Sequence, residues 1–172
     1  LSRAVGKLDA SPGWLDADDT NRLLNAYGIP TVRSVVVHDE DAAVAAAAKM
    51  GGSVVIKVVS ASVVHKSDVG GVALDVSGEQ AVRMAYQQVI AVANDAEGAL
   101  IQEFLVGGHE VIVGMSEDPL FGPLIVFGIG GIFVELMKDV SFRINPLTNA
   151  DAKEMLSEVR SAALLTGYRG DP

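Results

Sequence analysis

The chain has 172 residues, 49% of them hydrophobic but only 5% aromatic, no cysteine, and a formal net charge of −9. That length suits one domain or two small lobes around a cleft, with a core built mostly of Val, Ala, Leu and Ile. The charge argues against nucleic acid and anionic membranes as partners; the missing cysteines exclude a disulfide frame or a thiolate metal site; and no apolar run approaches the roughly 20 residues of a membrane span.

Residues 1–15 show no sustained period and no charged-then-apolar leader, and they contain Gly6, Pro12 and Gly13. They read as a tail or linker, and a cytoplasmic protein is the default expectation. Asp16 caps a helix through Leu23 and Leu24 that stops at Gly28. Beyond Pro30, the valine-rich stretch Thr31–Val37 reads as a strand, and Asp39 opens an alanine-rich helix ending at Gly51. The strand Val54–Val59 carries one lysine, Lys57. A loop with His65, Lys66, Ser67 and the pair Gly70-Gly71 follows, then the strand Val72–Val76. Ser77 and Gln80 form a capping box for a helix with Val82, Tyr86, Val89, Ile90 and Ala93 on one face. Ala99–Leu105 is the next strand, broken by Gly107-Gly108. Glu110–Met115 and Pro123–Phe127 make a hairpin across SEDPLFG, Ile132–Leu136 is extended, and Thr148 opens a last helix that runs to Leu165 before Gly167. Hairpins leave no room for the crossovers of a dozen or more residues that a parallel sheet needs. The expected class is therefore α+β with largely antiparallel sheets, hinged at Gly107-Gly108 between lobes 16–106 and 107–172.

The stretch from Ser53 to Val76 carries the strongest chemical signal. Two strands gripping a loop rich in glycine, cation and hydroxyl can cover a chain of phosphates, with backbone N–H groups and lysines meeting the anionic oxygens. In that reading Lys57 contacts phosphate; in the alternative it points to solvent from a half-exposed strand. The loop exceeds the roughly 2–5 residues of ordinary hairpins, which favours a lid. No G-x-x-x-x-G-K-[ST] occurs, and GIGGIF at 128–133 is not G-x-G-x-x-G, so Walker and Rossmann nucleotide sites are disfavoured. His38, His65 and His109 form no pair at metal-ligand spacing. His65, beside Lys66, is either a structural or solvated histidine or a nucleophile that carries a phosphoryl group. Glu103 and Glu110 flank the glycine hinge, where a cleft strand offers backbone groups to a base and a carboxylate to ribose hydroxyls; they read equally as two solvated glutamates. Glu135, Lys138, Asp139 and Arg143 form a polar site wall or a surface ion-pair network.

Four ordered blocks go further: IPTVRSVVV, VVIKVVSASVVHKSDVGGVAL, the run from IQEFLVGGHE to INPLT, and LLTGYRG. Together they resemble the ATP-grasp domain of NDP-forming (ADP-forming) acyl-CoA synthetases, a domain also fused to protein acetyltransferases. The resemblance runs from about Asp16 to Pro172. It implies ATP or ADP held between two α+β lobes, with Mg²⁺ in the complete enzyme. The implied parent reaction interconverts acyl-CoA, ADP and phosphate with acid, CoA and ATP. A CoA-binding, phosphohistidine-bearing domain or subunit would be the partner. Carried over by position, Lys57 touches the nucleotide phosphates, and His65 to Gly71, with Lys66, Ser67 and Gly70, closes over them. Glu103, Leu105 and Val106 border the adenine, Glu110 lies near the ribose, His65 is a candidate second phosphoryl carrier, and Gly130–Glu135 receives the partner's phosphohistidine loop. The family's metal strand, of the form E-L-D-x-N-P-L, has no counterpart. Ile144-Asn145-Pro146-Leu147 mimics its tail, but Val140, Ser141 and Phe142 stand upstream where carboxylates are required. No metal ligand is assigned, and the chain by itself is expected to be inactive or nearly so. Two rival readings are a non-catalytic nucleotide-sensing module of an acetyltransferase fusion and an interaction scaffold without nucleotide.

Overall fold

The structure, a computed structural model, describes residues 15–63, 66–130 and 138–167. The chain divides into two compact units, Leu1–Leu105 and Val106–Pro172.

In the first unit, helix α1 (Ala17–Ala26) begins at Asp16, whose carboxylate accepts the Asp19 N–H at 2.8 Å. Strand β1 (Ser34–Val37) leads to helix α2 (Glu40–Met50), capped by Asp39 through the Ala42 N–H and ended by Gly51 in the left-handed conformation, φ 76°. Strands β2 (Val54–Val59) and β3 (Val72–Val76), helix α3 (Glu79–Ile90) and strand β4 (Gly98–Glu103) complete it. The four strands form one antiparallel sheet in the order β1-β4-β2-β3. Side chains alternate between its faces. Val54, Ile56 and Val58 of β2 join Ala99 and Ile101 of β4 on one face, where they pack with Ala43 and Ala46 of α2 and Val82, Tyr86 and Val89 of α3. Alanine on α2 lets that helix lie close to the sheet. The opposite parity, Val55, Lys57 and Val59 with Leu100 and Gln102, lies on the face away from α2 and α3.

A bulge adjusts this alternation. Val54 pairs with Val76 and Ile56 with Ala73, so Leu74 and Asp75 both oppose Val55, and Asp75 takes φ 52°. The extra residue lets Ala73 and Val76, three apart, both turn to the core.

In the second unit, strands β5 (Val111–Asp118), β6 (Gly122–Ile129) and β7 (Val140–Ile144) form an antiparallel sheet in that order. Helix α4 (Asn149–Glu158) and the short helix α5 (Ala162–Leu165) follow. Thr148 and Asp151 make a reciprocal capping box at α4. Phe127, Met155 and Val159 form the core, with Ile125, Leu147, Ala162 and Leu165 against it.

The α+β class and antiparallel sheets match the sequence reading, with local corrections. The Ser77–Gln80 capping box does not form: the N-cap is Gly78 at φ 84°, without a side-chain cap bond. The helix starts one residue later than expected, which moves Gln80 out of the third helical position. The last helix is two: Val159 is extended, φ −66° and ψ 139°, and points into the core, while the Asp139 carboxylate accepts the N–H groups of Arg160 and Ser161 at 2.7 and 2.9 Å. The hairpin turn is tighter than SEDPLFG suggests. Asp118 accepts the N–H groups of Leu120 and Phe121, an Asx turn that leaves residues 119–121 between the strands. The strand expected over Ile132–Leu136 lies outside the described residues. No helix among the described residues is long and apolar enough to cross a membrane.

Candidate functional site

The parity of β2 puts Lys57 on the sheet face away from α2 and α3, opposite Val72 of β3 on one side and Leu100 of β4 on the other. Gln102, one alternation further along β4, shares that face, and the Lys57 Nζ donates to its Oε1 at 2.7 Å. Both residues are half-buried. Burial holds the Lys57 pKa below its ordinary value, and repulsion from Lys66 lowers it further. Lys57 is thus not a freely solvated strand lysine. It is a desolvated cation with one neutral partner and a second cation nearby.

The loop beyond β2 is pinned at both ends. At its start Asp95, between α3 and β4, accepts the Ser60 and Ser62 hydroxyls, each at 2.7 Å, and the Ser62 N–H at 3.0 Å. Those bonds hold the Asp95 pKa down to about 2, the Ser60 hydroxyl contributing most. At its end the Gly71 N–H donates to the Lys66 carbonyl at 2.7 Å and the Val58 N–H donates to the Gly71 carbonyl at 2.9 Å. The Gly70 N–H reaches the Ser67 carbonyl at 3.4 Å, and Gly70 takes φ 76°. A Cβ on Gly71 would sit 2.8 Å from Val58 Cγ1 and 3.0 Å from the Lys66 carbonyl oxygen, so the turn closes on the strand only because residue 71 has no side chain. In this conformation the Gly70 and Gly71 amides are engaged within their own turn. The two glycines shape the loop; the groups it turns outward include Ser67, exposed, and Lys66, partly exposed. His65 lies outside the described residues.

At the end of β4 the Glu103 carboxylate takes a two-point bond from Arg33, Nε to Oε2 at 3.1 Å and Nη2 to Oε1 at 2.9 Å. Its backbone N–H donates to the Arg33 carbonyl at 2.9 Å, and Arg33 also reaches the Met50 carbonyl at the end of α2. The Arg33 bond holds the Glu103 carboxyl below its usual range. This carboxylate, partly exposed but paired, links the residue before β1 with β4, and Arg33 adds the end of α2. Because Lys57 pairs with Leu100, Glu103 lies three residues further along β4 and, by the alternation that turns Ala99 and Ile101 toward α2 and α3, on the opposite face of the sheet from Lys57. Leu105, the last residue of the first unit, is 63% exposed, and Val106, the first of the second, 88%. Glu110, exposed, belongs to the second unit, where its carbonyl accepts the Gly130 N–H at 2.7 Å.

Of the polar run near β7, Glu135 lies outside the described residues. Arg143 pairs with Glu158 and Glu154, and the Ser141 hydroxyl donates to Glu158. Those bonds, with the Asp139 contacts, hold α4 and α5 to β7, which is the ion-pair-network reading. Among the described residues no group of three His, Cys, Asp or Glu side chains gathers as a metal site. The group coupled to Lys57 is another cation, so the described residues do not by themselves fit a Mg²⁺ ion. Sequence reasoning missed Gln102, Arg33 and Asp95. The motif Ser60-Ala61-Ser62 was the available signal for a loop anchor, but its acceptor lies 33 residues on.

A family model described as an ATP-grasp domain matches residues 7–172. The β subunit of ADP-forming acetate–CoA ligase I of Pyrococcus furiosus is 42% identical over 173 residues, covering 97% of this chain and 75% of that protein. The ADP-forming acetate–CoA ligase II of Archaeoglobus fulgidus is 48% identical over 151 residues, 88% of this chain but 22% of that protein. Among solved structures, the dinucleotide-forming acetyl-coenzyme A synthetase 1 of Ca. Korarchaeum cryptofilum, in complex with coenzyme A, Ca-AMPCP and HgCl+, matches with a TM-score of 0.89 at 41% identity over 98% of this chain and 77% of that one. The chain therefore spans about a fifth of the single-chain ligase and about three quarters of the β subunit.

Proposed function

Since this chain belongs to the ATP-grasp family, with the β subunits of ADP-forming acetate–CoA ligases, we propose that it is the nucleotide-binding portion of an ADP-forming acyl-CoA synthetase. The observation that carries this reading is Lys57, half-buried and hydrogen-bonded to Gln102 on the sheet face away from α2 and α3, near enough to Lys66 to be repelled by it, in a strand that runs into a loop anchored by Asp95. Two neighbouring cations in partly desolvated surroundings attract a polyphosphate, and bound phosphate relieves their mutual repulsion.

In this reading Lys57 and Lys66 take the phosphates of ADP or ATP, with Ser67 donating from the turn that Gly70 and Gly71 shape. Glu103, Leu105 and Val106 border the base, the glutamate by fixing the end of β4 through Arg33, and Glu110 lies by the ribose. The parent reaction is acyl-CoA, ADP and phosphate to carboxylic acid, CoA and ATP. Its last step passes a phosphoryl group from a histidine nitrogen of a CoA-binding partner domain or subunit to the terminal oxygen of ADP. His65 is a candidate second carrier. Mg²⁺, if bound as in such enzymes, would offset the negative charge of the phosphate groups; the residues described above do not hold it. The same reading places the protein in the cytoplasm.

The test is a thermal unfolding shift with ADP. A nucleotide at 100 times its dissociation constant adds about 2.7 kcal/mol to the folded state. Replacing Lys57 with Ala is expected to cut the shift severalfold by weakening ADP binding; absence of any shift in the unmodified chain would overturn the proposal.

A further inference from the structure

Lys57 has one hydrogen-bond partner among the described residues, the Gln102 side chain. The two lie diagonally across the β2–β4 ladder, Lys57 opposite Leu100 and Gln102 opposite Val55, so the bond is set by strand register. An ammonium group has three N–H donors, and Gln102 accepts one. A neutral amide oxygen does this without cancelling the charge, which a carboxylate would do. Lysine otherwise carries a freely rotating point charge, and each binding event would have to order it. Lys66 also repels Lys57. A tether on the β4 side keeps the Lys57 ammonium over the sheet against that repulsion.

We propose that Gln102 is a positioning residue for the nucleotide: it acts through Lys57, holding the ammonium on the sheet face away from α2 and α3 and near Lys66, where a phosphate group is to sit. This rests on the nucleotide-binding reading above. The groups that face Lys57 are Val72 from β3, Leu100 and Gln102 from β4, and Lys66 from the loop. Among the described residues no carboxylate contributes to its titration, so a change at residue 102 registers directly on Lys57.

Calorimetric titration with ADP, paired with NMR titration of 13C-labelled lysine, tests this on the wild type, Lys57→Met, Gln102→Leu, Gln102→Glu and the double variant Lys57→Met/Gln102→Leu. Gln102→Leu is expected to weaken ADP binding about ten-fold and to lower the Lys57 pKa further. In the Lys57→Met background the same change is expected to add nothing, because Gln102 acts through the ammonium. Gln102→Glu is expected to weaken binding while raising the Lys57 pKa, an opposition that a merely structural role does not produce. This near-isosteric variant carries the test if Gln102→Leu does not fold. Binding insensitive to residue 102, additive losses in the double variant, or a Lys57 titration unmoved by either change overturns the proposal. If the wild type binds ADP through Lys57 but ignores Gln102, only this inference falls. If the wild type binds no ADP, the nucleotide reading falls and this inference with it.

Discussion

Asp95 lies in the connection between α3 and β4, yet its carboxylate holds the start of the loop beyond β2 through the two serine hydroxyls and the Ser62 N–H. Its pKa is about 2 in the folded chain against 3.8 as the ordinary value. A depressed carboxylate stabilises the fold at pH values above its unfolded pKa and loses that contribution as pH falls through the folded one. The stability gap between wild type and Asp95→Asn is expected to be constant above about pH 4 and to close between about pH 4 and 2. Acid titration of both proteins by circular dichroism checks this; a gap that persists unchanged at pH 2 would show that the carboxylate charge is not what anchors the loop. Lys57 was legible in the sequence as a lone cation in an apolar strand. Its partner Gln102 was not, because a glutamine in a strand has no signature until register brings it diagonally across the ladder.

At the scale of elements, the turn from Lys66 to Gly71 sets two glycines apart by cause. Gly71 is held by space, since its missing Cβ would meet Val58 and the Lys66 carbonyl, whereas Gly70 has open space but a left-handed φ of 76°. Gly71→Ala is expected to cost about 1–3 kcal/mol and to weaken ADP binding by displacing the turn. Gly70→Ala is expected to cost about 1–2 kcal/mol through backbone strain without displacing it. Denaturant melts with calorimetry separate the two; equal effects on nucleotide affinity would contradict this division. Elements with strong local signals were legible, such as α1 and α2 with their Asp caps and β2 with its valines. The failures were at ends and breaks. Gly78 replaced Ser77 as the N-cap, and Val159 left the helix because the core takes its side chain while Asp139 takes the amides beyond it.

In the molecule as a whole, the first unit rests on one apolar cluster in which Ile56, Ile101, Val58 and Val89 are fully buried, and the second on Phe127, Met155 and Val159. Ile101→Ala is expected to cost about 2–5 kcal/mol. Hydrogen exchange is expected to speed up through β1, β2 and β4 while β6 and β7 keep their protection; equal loss in both sheets would show that the two cores do not open separately. The sequence by itself determined the α+β class, most helix and strand locations, the family through its ordered blocks, and Lys57 as the residue to watch, because period, caps and motif order are local. The tertiary structure alone decided that Glu103 is paired with Arg33, that Asp95 anchors the loop, and that Gln102 holds Lys57. Those contacts join residues 33 to 70 positions apart, through pairings that exist only once antiparallel register is set, and no short-range pattern encodes register.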